Sequence, residues 1–282
     1  MSKLMKKALL GTAAAAMMAT GAAASELDTL KRQLSALNGP DAAVTTTYKS
    51  GKGLTIAITP TADLPAPATE ITLSGSVTLA IWGDNTGVVG WLTRGEVNVK
   101  SKTPTAVGDV STHIRVRGDF TGPGNSSAFY MHLAYADWQA TENVRVRFGH
   151  AGDIDSVFDS SFGSWAPLGP ASGPFSAFTY GRSNQLGVHF KSGAISVGLA
   201  AQQWMAGPGG VAAYAQADFG AGHVKISGAY DFLAALWRAG IGAKFTMGPA
   251  YVAVAASTLN LALWGVSAEL GAKVDKVAFA VT

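Results

Sequence analysis

Apolar and polar residues alternate along most of the chain from residue 70 onward. In one such segment, Val144, Val146 and Phe148 fall on one face, and Arg145 and Arg147 fall on the other. A period of two predicts a β-strand that has one apolar and one polar face. Segments of this kind recur and are joined by short turns rich in Gly, Pro, Asn and Asp, which predicts a series of antiparallel hairpins.

The predicted strands are of similar length throughout. They cover residues 71–82, 91–100, 111–120, 128–138, 144–150, 182–191, 194–204, 211–219, 223–232, 235–246, 250–258, 261–272 and 275–282. Strands of about ten residues fit a transmembrane barrel better than a sandwich, whose strands average about five or six residues. We therefore expect an all-β fold, a transmembrane antiparallel β-barrel of roughly 12–16 strands over residues 69–282.

One long segment, 151–181, interrupts the alternation without a strand or helix period of its own. It is rich in Gly, Pro, Ser and aromatic residues and contains Asp153, Asp155 and Asp159. Segments this long without regular structure are uncommon in compact domains and usually functional. We interpret it as a loop folded into a pore, with its acids facing arginines of the wall. Small residues at the lumen-side positions Gly198, Ala200, Gly240 and Gly242 would leave room for water or a neighbouring loop.

Residues 1–24 have the pattern of a cleaved signal peptide. Lys3, Lys6 and Lys7 precede an apolar run over 8–19, and Ala22-Ala23-Ala24 fits a cleavage site. A transmembrane anchor is the weaker alternative, because the run is short. Three lysines taken from 21 basic residues leave 18, against 18 acidic residues, so the mature chain is formally neutral. This balance removes the main electrostatic support for nucleic-acid binding.

A short helix is predicted over residues 25–40. Leu27, Leu30, Leu34 and Leu37 form a seam with coiled-coil spacing, and Gly39-Pro40 ends it. The alternative is a helix that packs one stripe on its own domain. Residues 41–68 form a linker with one lead-in strand, near 54–59.

The sequence has no cysteine. An exported chain that is 48% hydrophobic and only 14% charged indicates an outer-membrane barrel. A secreted or periplasmic all-β domain is the competing class.

Four stretches resemble one protein family. They are Tyr48-Lys49-Ser50-Gly51-Lys52-Gly53-Leu54-Thr55-Ile56, Glu70-Ile71-Thr72-Leu73-Ser74-Gly75, the strand 144–150 and Gly181-Arg182-Ser183-Asn184-Gln185-Leu186. With the layout of the whole chain, they resemble Gram-negative general porins, in particular trimeric porins with a short N-terminal coiled coil. The resemblance implies an outer-membrane homotrimer in contact with lipid, with one channel per barrel constricted by the loop 151–181. Members usually end on an aromatic residue, whereas this sequence ends Val281-Thr282; a truncated C-terminus or an atypical small barrel would explain the difference.

The predicted function is passive diffusion of ions and small hydrophilic solutes, without a cofactor. Opposite charges across a constriction would filter solutes by size and charge. The candidate pore-lining residues are Arg94, Lys100, Arg115, Arg117, Arg145, Arg147 and Arg182, facing Asp153, Asp155 and Asp159. The same three acids would be the ligands if the loop instead bound Ca²⁺, although we predict no metal site.

No catalytic residues are predicted. The five histidines show no HExxH spacing, and no serine lies in a G-x-S-x-G context. Two alternatives to a porin remain at this point. One is a closed structural or adhesive barrel plugged by the long loop, and the other is an outer-membrane hydrolase.

Overall fold

The computed structural model describes residues 44–50, 52–59, 68–83, 89–120, 129–157, 182–203, 209–260, 263–274 and 277–281. The predicted signal peptide, the predicted helix 25–40 and residues 158–181 of the long segment, which include Asp159, lie outside these residues. The regular structure of the described residues consists of fifteen antiparallel β-strands, which confirms the all-β prediction. In this part of the chain, no helix is long and apolar enough to cross a membrane.

The chain divides into two units, with the boundary between Trp138 and Gln139. The strands of the first unit are β1 (Val44–Lys49), β2 (Gly53–Ile58), β3 (Thr69–Gly83), β4 (Val89–Thr103), β5 (Asp109–Phe120) and β6 (Tyr130–Gln139), whose last residue passes the boundary. Each of the strands β1 to β4 pairs antiparallel with the next one along the chain.

The second unit holds nine strands. They are β7 (Val144–Gly152), β8 (Arg182–Ser192), β9 (Ile195–Gln202), β10 (Gly210–Asp218), β11 (Gly222–Asp231), β12 (Leu236–Met247), β13 (Ala250–Leu259), β14 (Leu263–Val274) and β15 (Val277–Val281). Every one pairs antiparallel with its neighbour in sequence. The predicted hairpin order is therefore observed in this unit.

The linker 41–68 contains one strand more than the sequence predicted. Strand β1 precedes the expected lead-in strand, pairs with it and places Tyr48 opposite Leu54. Three consecutive threonines hide the alternation of β1, because threonine is polar by hydropathy but favours strands through its branched Cβ. The hairpin is held on β3 by a small cluster around the buried side chains of Leu54 and Leu73.

The burial of β8 is inverted relative to a soluble sheet. Gln185 and His189 are only 6% and 7% exposed, whereas Leu186 and Val188 are 59% and 49% exposed. The same inversion extends across the second unit. We call the side of Gln185 and His189 the polar face and the side of Leu186 and Val188 the apolar face. The apolar face also carries Phe148, Phe190, Val197, Leu199, Val211, Ile226, Ile241, Val254, Trp264, Val266 and Leu270, all of them exposed.

The first unit has the same two kinds of face. Arg94, Glu96, Asn98 and Lys100 of β4 lie opposite Asp119, Arg117, Arg115 and His113 of β5, so the polar side chains of the two strands share one face. The alternate positions Val77, Val97 and Ile114 are exposed. Tyr135 of β6 also reaches the polar face of this unit. Its hydroxyl group lies 3.3 Å from Nδ1 of His113 on the polar face, because a hydroxyl gains a partner there.

Candidate functional site

The segment Asp153–Val157 leaves the end of β7 and packs on the polar face of the second unit. Its backbone turns at once, with the amide of Ser156 donating to the carbonyl oxygen of Asp153 at 3.3 Å. Its side chains and carbonyl groups then contact β9, β11 and β12. We call residues 153–157 the inner segment.

A buried ion pair joins the inner segment to β12. Arg238 donates through Nε to Oδ2 of Asp155 and through Nη2 to Oδ1 at 2.8 Å. The two residues are 4% and 3% exposed. Nη2 of Arg238 also lies 3.4 Å from Oδ2 of Asp153. A bidentate guanidinium–carboxylate pair has a defined geometry, and burial strengthens its electrostatic component. Arg238 therefore fixes both carboxylates of the segment.

Neutral and cationic groups of the wall bind the rest of the segment. Gln202 donates to Oδ1 of Asp155 at 3.0 Å, and Ser227 donates to the carbonyl oxygen of Asp155 at 2.6 Å. Nζ of Lys225 donates to the carbonyl oxygen of Ser156 at 2.6 Å. Just before the segment, Gln185 donates to the carbonyl oxygen of Gly152 at 2.8 Å. These bonds satisfy backbone carbonyls that face the sheet instead of water.

Small residues of the wall receive the two apolar side chains of the segment. Ile154 packs with Ala200, Ala212 and Ala229 in one cluster. Val157 packs with Ala253 and Ala255 in another. It also lies over two glycines of β12: a Cβ atom at Gly240 would lie 2.9 Å from its Cγ2, and its carbonyl oxygen fills the place of a Cβ at Gly242. The expectation that small wall residues leave room for a loop is confirmed at Ala200, Gly240 and Gly242, whereas the space beside Gly198 is filled by the ring of Tyr214.

Burial raises the pKa of Asp153 above the ordinary range of an aspartate, and this effect outweighs the nearby Arg238 guanidinium, which lowers it. The second carboxylate of the segment, Asp155, lies close enough to add a smaller upward contribution to the pKa of Asp153. The two acids thus share one guanidinium group.

Arg145 and Arg147 lie on the polar face of β7, as the sequence predicted. They are half-buried and stand opposite His189 and Gly187 of β8. The side chain of His189 contacts Tyr214, with Nδ1 of His189 3.1 Å from the Tyr214 hydroxyl oxygen. Nζ of Lys225 lies 4.6 Å from the centre of the Tyr214 ring. The described loop acids, Asp153 and Asp155, bind Arg238 of β12 and not these two arginines of β7.

Four of the predicted wall cations lie in the first unit, and three of them bind polar side chains of the neighbouring strand. Arg94 binds Asp119 through Nε at 2.6 Å and Nη2 at 3.1 Å, and Arg117 binds Glu96 through Nε at 2.6 Å. Arg115 donates to Asn98 at 2.8 Å. Lys100, also on this face, is exposed.

Arg182 stands apart from the other predicted pore-lining residues. It is the first residue of β8, is exposed, and lies in phase with Leu186 and Val188. The structure thus places it with the apolar face, because an even number of positions separates it from Leu186. Among the described residues, which do not include Asp159, no group of three or more His, Asp or Glu side chains could hold a metal ion.

Sequence reasoning missed Arg238 as a site residue. It was part of a predicted strand, but its partners Asp153 and Asp155 lie more than 80 positions away in the sequence. The available signal was its neighbourhood. Arg238, Gly240 and Gly242 occupy successive positions of one face, so a single cation stands beside two positions without side chains.

No protein-family model matches this chain, and no curated protein matches it. Two solved structures with similar folds are Salmonella typhi OmpF in complex with daunomycin and a mutant of the Rh. blastica porin. The first has a TM-score of 0.46 at 10% sequence identity, over 74% of this chain and 87% of that one. The second has a TM-score of 0.43 at 14% identity, over 74% of this chain and 92% of that one.

Proposed function

We propose that this chain is a porin: a transmembrane β-barrel that forms a passive aqueous channel for ions and small hydrophilic solutes across the outer membrane. The observation that carries the proposal is the inverted burial of the strands. Large apolar side chains are exposed on one face while charged and amide side chains are buried on the other. A barrel in lipid needs this arrangement, because its outer surface meets hydrocarbon and its interior meets water.

The lengths of the strands also support a membrane location. The strands β7, β10, β11 and β13 have 9 or 10 residues, and β8 has 11. A tilted transmembrane strand needs about 9–11 residues. Backbone groups in hydrocarbon must be paired within the protein, and the antiparallel neighbours of these strands supply that pairing.

The position of the inner segment supports a channel that is narrowed by its own chain. Residues 153–157 pack on the polar face, which would line the lumen. Arg145 and Arg147 occupy the same face and would contribute positive charge to the channel wall. Diffusion through such a channel requires no catalytic group, and size and charge at the narrowest point would set the selectivity.

The chain would be exported across the inner membrane and would assemble as a homotrimer. The pattern of residues 1–24 supports export by a cleaved signal peptide. The heptad-like leucines of residues 25–40 support a homotrimer, as the resemblance to coiled-coil porins implies. Chemical cross-linking of the folded protein tests the homotrimer. We expect cross-linked species of up to three subunits, and a protein that remains monomeric would contradict the trimer.

A liposome-swelling assay tests channel formation. The mature chain is folded into lipid vesicles, which are then diluted into sugars of increasing size. We expect rapid swelling in the smallest sugars and a fall in rate as the sugar approaches the size of the constriction. Vesicles with heat-denatured protein are the control. If the folded, membrane-inserted protein admits no sugar at all, the chain forms a closed barrel and the proposal fails.

A further inference from the structure

We infer that Arg238 is a positioning residue that pins the inner segment to the wall and so keeps the channel at one steady conductance. The inference rests on the proposed channel function. It concerns an ion pair between β12 and residues 153–157, which are separated by more than 80 residues in the chain.

Arg238 is the contact on which the segment depends most. Both carboxylates of the segment bind its guanidinium, whereas Gln202, Ser227 and Lys225 each supply a single hydrogen bond. The ion pair is almost completely buried. Charge-assisted bonds in such surroundings are stronger than neutral ones. Removal of one partner from a buried pair also leaves an uncompensated charge.

The small wall residues beneath the inner segment constrain its position only weakly. Gly240, Gly242, Ala253 and Ala255 form a shallow surface on which Val157 rests. Such contacts are non-directional and scale with the small apolar area that they cover. The position of the segment along the wall is therefore determined by its polar bonds, of which the bonds to Arg238 are the only ones that reach both Asp153 and Asp155 among the described contacts.

Loss of the guanidinium would reverse the balance of forces. Asp153 and Asp155 would then be two neighbouring buried carboxylates without a cation, and like charges at short range repel. Each would recover hydration by moving away from the wall. The inner segment would leave its position on the wall and move within the channel, where it would intermittently obstruct the flow of ions.

Single-channel recording of Arg238→Gln tests the inference. We expect the wild-type protein to hold a steady open level and the variant to show frequent brief closures. The control is Arg117→Gln, which breaks a buried cross-strand pair with Glu96 and also removes one cation from a polar face, but belongs to the other unit. Records of Arg238→Gln as steady as wild type, or equal flicker in both variants, would overturn the inference.

A disulfide can replace the ion pair, because the chain contains no cysteine of its own. Cγ2 of Val157 lies 2.9 Å from the position of a Cβ at Gly240, which suits a bridge between Val157→Cys and Gly240→Cys. In the Arg238→Gln background we expect the oxidised pair to restore the steady level and a reductant to bring back the closures. Closures that persist in fully oxidised protein would contradict the pinning role.

Two further measurements keep the inference testable if a variant fails. If Arg238→Gln does not fold, Asp155→Asn removes the buried ion pair from the side of the segment, and steady records from that variant would count against the inference. If the wild-type protein does not conduct, the proposed function fails, but the rate of disulfide formation still reports on Arg238. We expect the disulfide between positions 157 and 240 to form faster when Arg238 is present than in the Arg238→Gln background; equal rates would overturn the pinning role.

Discussion

The carbonyl oxygen of Val157 occupies the space that a side chain at Gly242 would fill. This contact between the inner segment and β12 requires a residue without a Cβ atom at position 242. A glycine within a strand is often the mark of such a close approach by another part of the backbone. The same holds at Gly240, where the Val157 side chain comes within 2.9 Å of a Cβ position.

Gly242→Ala is therefore expected to destabilise the folded protein. The added methyl group collides with backbone, which can move only if the inner segment shifts, and overpacking of this kind costs about 1–3 kcal/mol. The urea concentration at half-unfolding in lipid vesicles measures the effect. Gly95→Ala is the matched control, since a Cβ at Gly95 would meet no atom within 4 Å. Equal stability of the two variants would show that Val157 does not rest on Gly242.

The ion pair between Asp155 and Arg238 predicts a non-additive pair of mutations. Arg238→Gln alone leaves Asp155 buried without a cation and is expected to cost about 3–5 kcal/mol. The double variant Asp155→Asn with Arg238→Gln leaves no buried charge at this pair, so it should lose less stability than the single variant. Urea unfolding of all four members of the cycle measures the coupling. Additive losses would indicate that the two side chains do not interact in solution.

If the exposed apolar face meets lipid, the free-energy cost of an arginine on this face should depend strongly on its depth in the membrane. Val188 lies in the middle of β8, and Val188→Arg should cost about 2–4 kcal/mol if this face meets hydrocarbon. Asn184→Arg, near the end of the same strand and on the same face, should cost only about 0–1 kcal/mol. The folded fraction in lipid vesicles distinguishes the variants. If both arginines are tolerated equally, the face does not meet lipid.

Arg145 and Arg147 predict the charge preference of the channel. Both lie on the polar face of β7, so replacement of both by glutamate reverses the local charge of the wall. We expect the reversal potential in a salt gradient to shift toward cation selectivity. A folded double variant with the selectivity of the wild type would remove both residues from the narrow part of the channel.

The raised pKa of Asp153 predicts a dependence of stability on pH. Because the pKa is higher in the folded than in the unfolded chain, the contribution of this group to stability is full below the ordinary aspartate pKa and is lost as pH rises through the raised value. Asp153→Asn remains neutral and should not show that loss. Its stability relative to wild type is expected to rise between acidic and neutral pH, and a difference that is constant across this range would contradict the assignment.

The strands and their two faces could be predicted from sequence because they depend on local alternation. Arg94 and Glu96 share a face for the same reason as Val188 and Phe190, namely that a strand repeats every two residues. The inverted burial was also expected, since the signal-peptide pattern of residues 1–24 and the short alternating strands together indicate a barrel in lipid. Hydropathy did not reveal β1, because its central threonines count as polar although they favour strands.

The partner of Asp155 could not be predicted in the same way. Which wall residue meets a loop depends on the course of the chain in three dimensions, and periodicity carries no information about that course. The sequence placed the loop acids opposite arginines, and for the two described acids, Asp153 and Asp155, that arginine is Arg238 of β12. The small residues Gly240 and Gly242 did indicate where the loop would rest, because only a missing side chain admits another backbone so closely.

Planar-bilayer recording of the folded mature chain tests the central claim most directly. A passive channel predicts stepwise increases of current when the protein is added, with an open level that scales with salt concentration and a reversal potential set by the charges of the polar face. Heat-denatured protein should give none of these steps. A protein that is folded, inserted and electrically silent over the accessible voltage range would contradict the account.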